Sequence, residues 1–176
     1  MLAQVFERYT YEDYKNWEGD WELIDGVAYA MAPFPIKSHQ FVVSEIIRHL
    51  GNQLENCKKC LVLSEIDWKI DDFTVVRPDV VFVCEDLSSE YISSTPKIIF
   101  EVVSPSTRLK DEKIKFEIYK KEGVKYYVLI YPKELKAKVY KLTNGEYIKE
   151  EDKKVYHFDV ECNIDIDFEK IFERLR

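Results

Sequence analysis

Two short, almost wholly apolar runs constrain this chain more than any other feature: Val80-Val81-Phe82-Val83 and Ile98-Ile99-Phe100-Glu101-Val102-Val103. They show neither helical spacing nor strict alternation. They therefore read as central strands buried on both faces. Strands of that kind need packing layers above and below, which points to an α/β architecture. Each run also carries a carboxylate, Asp79 at the head of the first and Glu101 inside the second. Burying an unpaired carboxylate is costly, so each needs a counter-charge, a hydrogen-bond network or a metal ion.

The remaining chain supplies the layers. Thr10 with Asp13 marks a helix start, and the helix should run to about residue 17. Residues 21–31 read as a hairpin turning at Asp25-Gly26. Pro33 and Pro35 then break the chain, and Val42, Ile46, Ile47, Leu50 and Leu54 recur at helical spacing across residues 38–54. Residues 61–70 alternate imperfectly and read as one half-buried strand. A helix over residues 108–122 stops at Gly123, and a strand at 124–131 follows. A second hairpin pairs residues 135–142 with 146–149 across Asn144-Gly145. The tail from residue 158 should add a strand and a final helix. The expected fold is one α/β domain over residues 1–176, a mixed sheet flanked by helices with N-terminal and C-terminal hairpins.

Chemistry concentrates where the two runs meet. Carboxylates on neighbouring strands facing one point offer hard oxygen ligands for Mg²⁺, which commonly takes one or two of them plus waters and phosphate. Asp111, Lys115 and Tyr119 follow at i, i+4 and i+8 on one side of the next helix, with Ile114 and Ile118 marking its buried face. Lys115 then leaves the helix at the margin of the core, placed to orient water or stabilise developing negative charge. The competing reading makes Asp79 a turn cap, pairs Glu101 with Arg77 or a lysine, and leaves Asp111–Lys115 as a surface pair.

These residues resemble the PD-(D/E)XK nuclease superfamily, the restriction-endonuclease-like fold, and more closely the Uma-type restriction endonucleases. The resemblance is carried by residues 21–26 (Trp-Glu-Leu-Ile-Asp-Gly), His39, Arg77-Pro78-Asp79-Val80 and Glu101-Val102-Val103-Ser104-Pro105-Ser106-Thr107. Asp111, Lys115, Tyr119, Gly123-Val124 and Tyr126-Tyr127-Val128 complete it. It implies Asp79 and Glu101 as ligands of Mg²⁺ or Mn²⁺, with the Val102 carbonyl as a third. It also implies Glu22 and His39 as accessory residues, DNA as substrate, and no organic cofactor. One departure stands out: Val103 occupies the position of the superfamily's lysine, and Lys115 is its natural substitute.

Charge and cysteine content bear on partners. The formal net charge is −7, yet between residues 97 and 141 basic side chains outnumber acidic ones twelve to six. Such a region suits a phosphate-binding face, or is simply a solvated lysine-rich surface. Cys57, Cys60, Cys84 and Cys162 read as reduced thiols. Cys57-x-x-Cys60 lacks the second pair that a zinc site of familiar spacing would show. The first eight residues lack the character of a secretory leader, and no run reaches the ~20 apolar residues of a membrane span. A cytoplasmic enzyme is expected, as a homodimer because cutting both strands favours two sites. The alternative is a non-catalytic nucleic-acid-binding or structural homodimer module that retains the fold.

Overall fold

The computed structural model describes residues 7–32 and 35–176. Most of the N-terminal stretch weighed as a leader, and Pro33, lie outside the described residues. Helix α1 (Tyr11–Tyr14) opens on a capping box in which Thr10 and Asp13 bond reciprocally. It is shorter than the expected run to residue 17. The hairpin β1 (Trp21–Ile24) and β2 (Val27–Ala30) turns at Asp25 (φ 49°) and Gly26 (φ 79°), the left-handed pair that a tight hairpin requires. Helix α2 (Lys37–Gly51) continues as a 3₁₀ turn to Leu54.

The expected single strand at 61–70 is corrected: it is two strands in two sheets. β3 (Cys60–Ser64) ends at Glu65, whose φ of 51° turns the chain, and β4 (Trp68–Asp71) then pairs with β5 (Thr74–Val76). Between them, the carboxylate of Asp67 accepts from Arg77 (2.8 Å) and the Tyr14 hydroxyl (2.9 Å), which anchors the bend. The two apolar runs become β6 (Val80–Cys84) and β7 (Ile98–Val102), buried at every position.

The expected helix at 108–122 begins as a π turn, Lys110–Ile114, before becoming α3 (Lys115–Lys121). Strands β8 (Tyr126–Tyr131), β9 (Lys136–Thr143) and β10 (Glu146–Lys149) follow. The tail after residue 158 adds the expected strand, β12 (Ile164–Asp167), and the expected helix, α4 (Phe168–Phe172); the strand that pairs with β12, β11 (Val155–Phe158), lies just before it.

Three sheets result: β2-β1-β5-β4, β10-β9-β8-β7-β6-β3 and β11-β12. In the six-stranded sheet only β7 and β8 are parallel, as the intervening helical crossover demands. One face packs on α2, α4 and the β11-β12 hairpin through residues such as Ile46, Leu50, Phe100, Phe158 and Phe172. The other packs on α3 and the four-stranded sheet through Trp68, Ile99, Tyr119 and Tyr127. The N-terminal aromatics, Tyr11, Tyr14, Trp17 and Trp21, pack on one another and on Leu23 and Val75. No described helix is long and apolar enough to cross a membrane.

The cysteines, read from the sequence as reduced thiols with Cys84 and Cys162 isolated, are corrected in their placement: the fold gathers all four. Their sulphurs come together in two pairs, Cys57 with Cys162 and Cys60 with Cys84.

Candidate active site

Strand register explains why the two carboxylates meet. β6 and β7 are antiparallel with Val80 opposite Phe100, so Asp79, one residue before β6, stands across from Glu101. The Asp79 N–H donates to Glu101 Oε2 at 3.3 Å. Val102 lies past the start of β6, where its N–H has no strand partner there, and it donates to Asp79 Oδ2 at 2.6 Å. His39, in the first turn of α2, brings Nε2 within 3.1 Å of Asp79 Oδ1. Of Val102, the structure shows the N–H rather than the carbonyl in contact with Asp79.

Alternation along β7 turns Glu101 to the same face as Ile99, toward α3. There Lys115 Nζ donates to Glu101 Oε1 at 2.9 Å and the Tyr119 hydroxyl at 2.8 Å. Glu22 arrives from β1, fully buried, and its Oε1 accepts from Lys115 (2.7 Å) and from the Arg77 N–H (2.8 Å). Its Oε2 accepts from Lys110 at 2.6 Å. Sequence reasoning missed Lys110. In a regular α-helix it does not share a side with Lys115, but the i→i+5 bonding of the π turn carries both to Glu22. The surface-pair reading of Asp111 and Lys115 is set aside, because each is only 2% exposed.

The electrostatics follow from this crowding. Burial alone would drive the Lys115 ammonium to give up its proton, but Glu101 and Glu22 outweigh it and hold the proton on. Glu22 would likewise be pushed up by burial, yet Lys115 and Lys110 pull it down to about 2. Glu101 goes the other way: burial, with Asp79, Asp111 and Glu22 nearby, raises it well above the carboxylate range despite Lys115. Burial lifts Asp111 to about 6 against the pull of Lys115. For His39, the bond to Asp79 overcomes burial and favours the imidazolium.

Four carboxylates thus face two lysines and one histidine, and two buried polar atoms, Asp111 Oδ2 and His39 Nδ1, have no hydrogen-bond partner among the described residues. A hard divalent cation fits this donor set. Asp79 and Glu101 are groups that could hold one, Glu101 Oε2 meeting only one long bond. Among the described residues no three carboxylate or imidazole ligand atoms lie within 4.8 Å of one another, so water and phosphate would complete the shell. Beside His39 and Val102 opens a cleft of about 240 Å³, lined also by Val103, Ser104, Arg108, Tyr131 and Lys133.

A mixed sheet flanked by helices, with a carboxylate pair (Glu101 buried, Asp79 partly so) and a helix-borne lysine at one strand end, defines a restriction-endonuclease-like protein. The chain belongs to the Uma2 family, described as "Putative restriction endonuclease", whose model matches residues 6–158. Its structure is similar to a crystal structure titled as a putative nuclease belonging to DUF820 from Anabaena variabilis. The TM-score is 0.75 at 17% identity, covering 95% of this chain and 99% of that one. Among curated proteins none matches.

Proposed function

We propose that this protein is a divalent-metal-dependent endonuclease that hydrolyses DNA phosphodiester bonds. The observation that carries the reading is Lys115: a lysine from the helix after β7, buried, bonded to Glu101 beside Asp79. It reaches from α3 toward the end of β7, where Val103 leaves the superfamily position without an ammonium.

Asp79 and Glu101 would hold Mg²⁺ or Mn²⁺, which in such sites lowers the pKa of water and stabilises charge on phosphate. Lys115 keeps its proton, so it acts as a fixed positive charge rather than a base. Two of its three N–H groups go to Glu22 and Glu101, leaving one for a phosphate oxygen or the attacking water. Glu22, anchored by the Arg77 N–H and Lys110, fixes where that ammonium points. His39 and the Val102 N–H each hold one oxygen of Asp79, which sets the orientation of its carboxylate. Asp111 adds negative charge behind Lys115, and Tyr119 steadies Glu101. Ser104, Arg108 and Lys133 in the adjoining cleft offer partners for flanking phosphates. Two copies of the chain would place two such sites on opposite strands of a duplex.

A second reading, a non-catalytic binding or structural homodimer module, is favoured by one observation. Both Glu22 oxygens and Glu101 Oε1 are already satisfied by lysines, the Arg77 N–H and Tyr119. Incubating supercoiled plasmid with the protein and Mg²⁺ or Mn²⁺ separates the two. The enzyme reading expects nicked and linear products from the wild type and none from Asp79→Asn. Salt-sensitive DNA binding with no cutting under any divalent metal would favour the module.

A further inference from the structure

Far from the carboxylates, the fold gathers every cysteine in the chain. Cys57 lies in the turn after α2, Cys60 opens β3, Cys84 closes β6 directly opposite Cys60, and Cys162 sits in the turn between β11 and β12. The sulphurs of Cys57, Cys60 and Cys162 all lie within 4.8 Å of one another, and Cys84 touches Cys60. We propose that these four residues form a tetrathiolate site for zinc that pins the C-terminal hairpin and the edge strand β3 to β6, the same thiols pairing as disulfides when oxidised.

Several observations support a metal over two independent disulfides. Sulphurs bound at the usual ~2.3 Å Zn–S distance stand roughly 3.8 Å apart in a tetrahedron. The contact between the two pairs, Cys162 Sγ to Cys60 Sγ, is 3.4 Å, close to such an edge. Cys57-x-x-Cys60 has the spacing of a structural zinc turn, and Lys58 and Lys59 between them are exposed and offset the excess charge of four thiolates. The Cα atoms of Cys60 and Cys84 are 3.9 Å apart, nearer than the about 4.4–6.8 Å that disulfides usually span. Cys162 holds a φ of 81°, a conformation that a non-glycine residue keeps only where its surroundings enforce it.

The site is closed and structural. Cys84 is separated from Asp79 by the length of β6, roughly 16 Å for five residues, so a metal here takes no part in phosphate chemistry. Its work is topological: Cys57 and Cys162 are 105 residues apart in sequence. The small β11-β12 sheet has no strand pairing to the main one.

The test uses the full chain purified under reducing, oxygen-free conditions, with Zn²⁺ alone and Co²⁺ alone as probes. The expected result is one zinc per chain, four thiols titratable only after chelation, and a Co²⁺ adduct with thiolate-to-cobalt charge transfer and tetrahedral d–d bands. Chelation should lower the melting temperature of the wild type, and Cys162→Ser should weaken zinc retention by at least tenfold. Four freely titratable thiols with no metal uptake by the wild-type chain overturn the proposal. So does a chain isolated without oxygen that carries neither metal nor free thiols. Because the cobalt spectrum is read on the wild type, a variant that fails to fold leaves the test intact.

Discussion

Replacing Asp111 with asparagine isolates the electrostatic strain of the site. Asp111 is 2% exposed, its Oδ2 has no donor, and burial lifts its pKa from the ordinary 3.8 to about 6. A carboxyl raised in this way binds its proton more tightly folded than unfolded. Its contribution to stability is therefore greatest in acid, falls as pH rises from about 4 through about 6, and levels off above. The gap between 3.8 and about 6, at about 1.4 kcal/mol for each pH unit, amounts to about 3 kcal/mol at neutral pH. Asparagine keeps the shape and cannot ionise. Urea unfolding followed by the fluorescence of Trp17, Trp21 and Trp68 should show Asp111→Asn more stable than wild type by up to about 3 kcal/mol at pH 7.5 without metal. The gain should vanish near pH 4, where both forms are neutral. A variant no more stable at pH 7.5, or equally favoured at both pH values, would refute the reasoning.

Three other substitutions probe the same cluster. Lys115→Met strands Glu101 and Glu22 and should cost about 3–5 kcal/mol at neutral pH. That loss should shrink on acidification, because Glu101, already raised, takes up a proton in the variant; urea melts at pH 5 and 8 check it. Tyr119→Phe removes the hydroxyl bonded to Glu101 in a fully buried setting, and the same melts should show a loss of about 1–3 kcal/mol. Val103→Lys placed in a Lys115→Ala background returns an ammonium to the strand end, and a plasmid assay should recover part of the cutting that Lys115→Ala abolishes.

Much of the frame was legible because burial leaves a compositional mark. The continuous apolar runs at 80–83 and 98–103 became β6 and β7, neighbouring interior strands buried at every position, and Asp25-Gly26 and Asn144-Gly145 became the expected hairpin turns. What the sequence hid is local geometry that alternation cannot report. At Glu65 the alternation slips, Leu63 being followed by Ile66, but the slip reads only as an irregularity and not as the left-handed turn that splits one strand into two sheets. The π turn is equally silent: the spacing of Asp111, Lys115 and Tyr119 reads as plain α-helix, and only the wider register reveals Lys110 beside Glu22. The cysteines were weighed by spacing alone, whereas Cys84 and Cys162 join Cys57 and Cys60 through strand register and a turn far along the chain. The approach of Glu22 to Lys115 is long-range in the same sense, set by how β1 packs over α3.

The central claim is that Glu101 and Lys115 form a working pair in metal-dependent hydrolysis. The most direct test is cleavage of plasmid and linear duplex DNA with Mg²⁺ or Mn²⁺, comparing wild type with Glu101→Ala and Lys115→Ala, each checked for folding by circular dichroism. The account predicts metal-dependent cutting by the wild type that both folded variants lose. Cutting that survives in a folded Lys115→Ala, or a wild type as inert as the variants on every metal and nucleic acid tried, would contradict it.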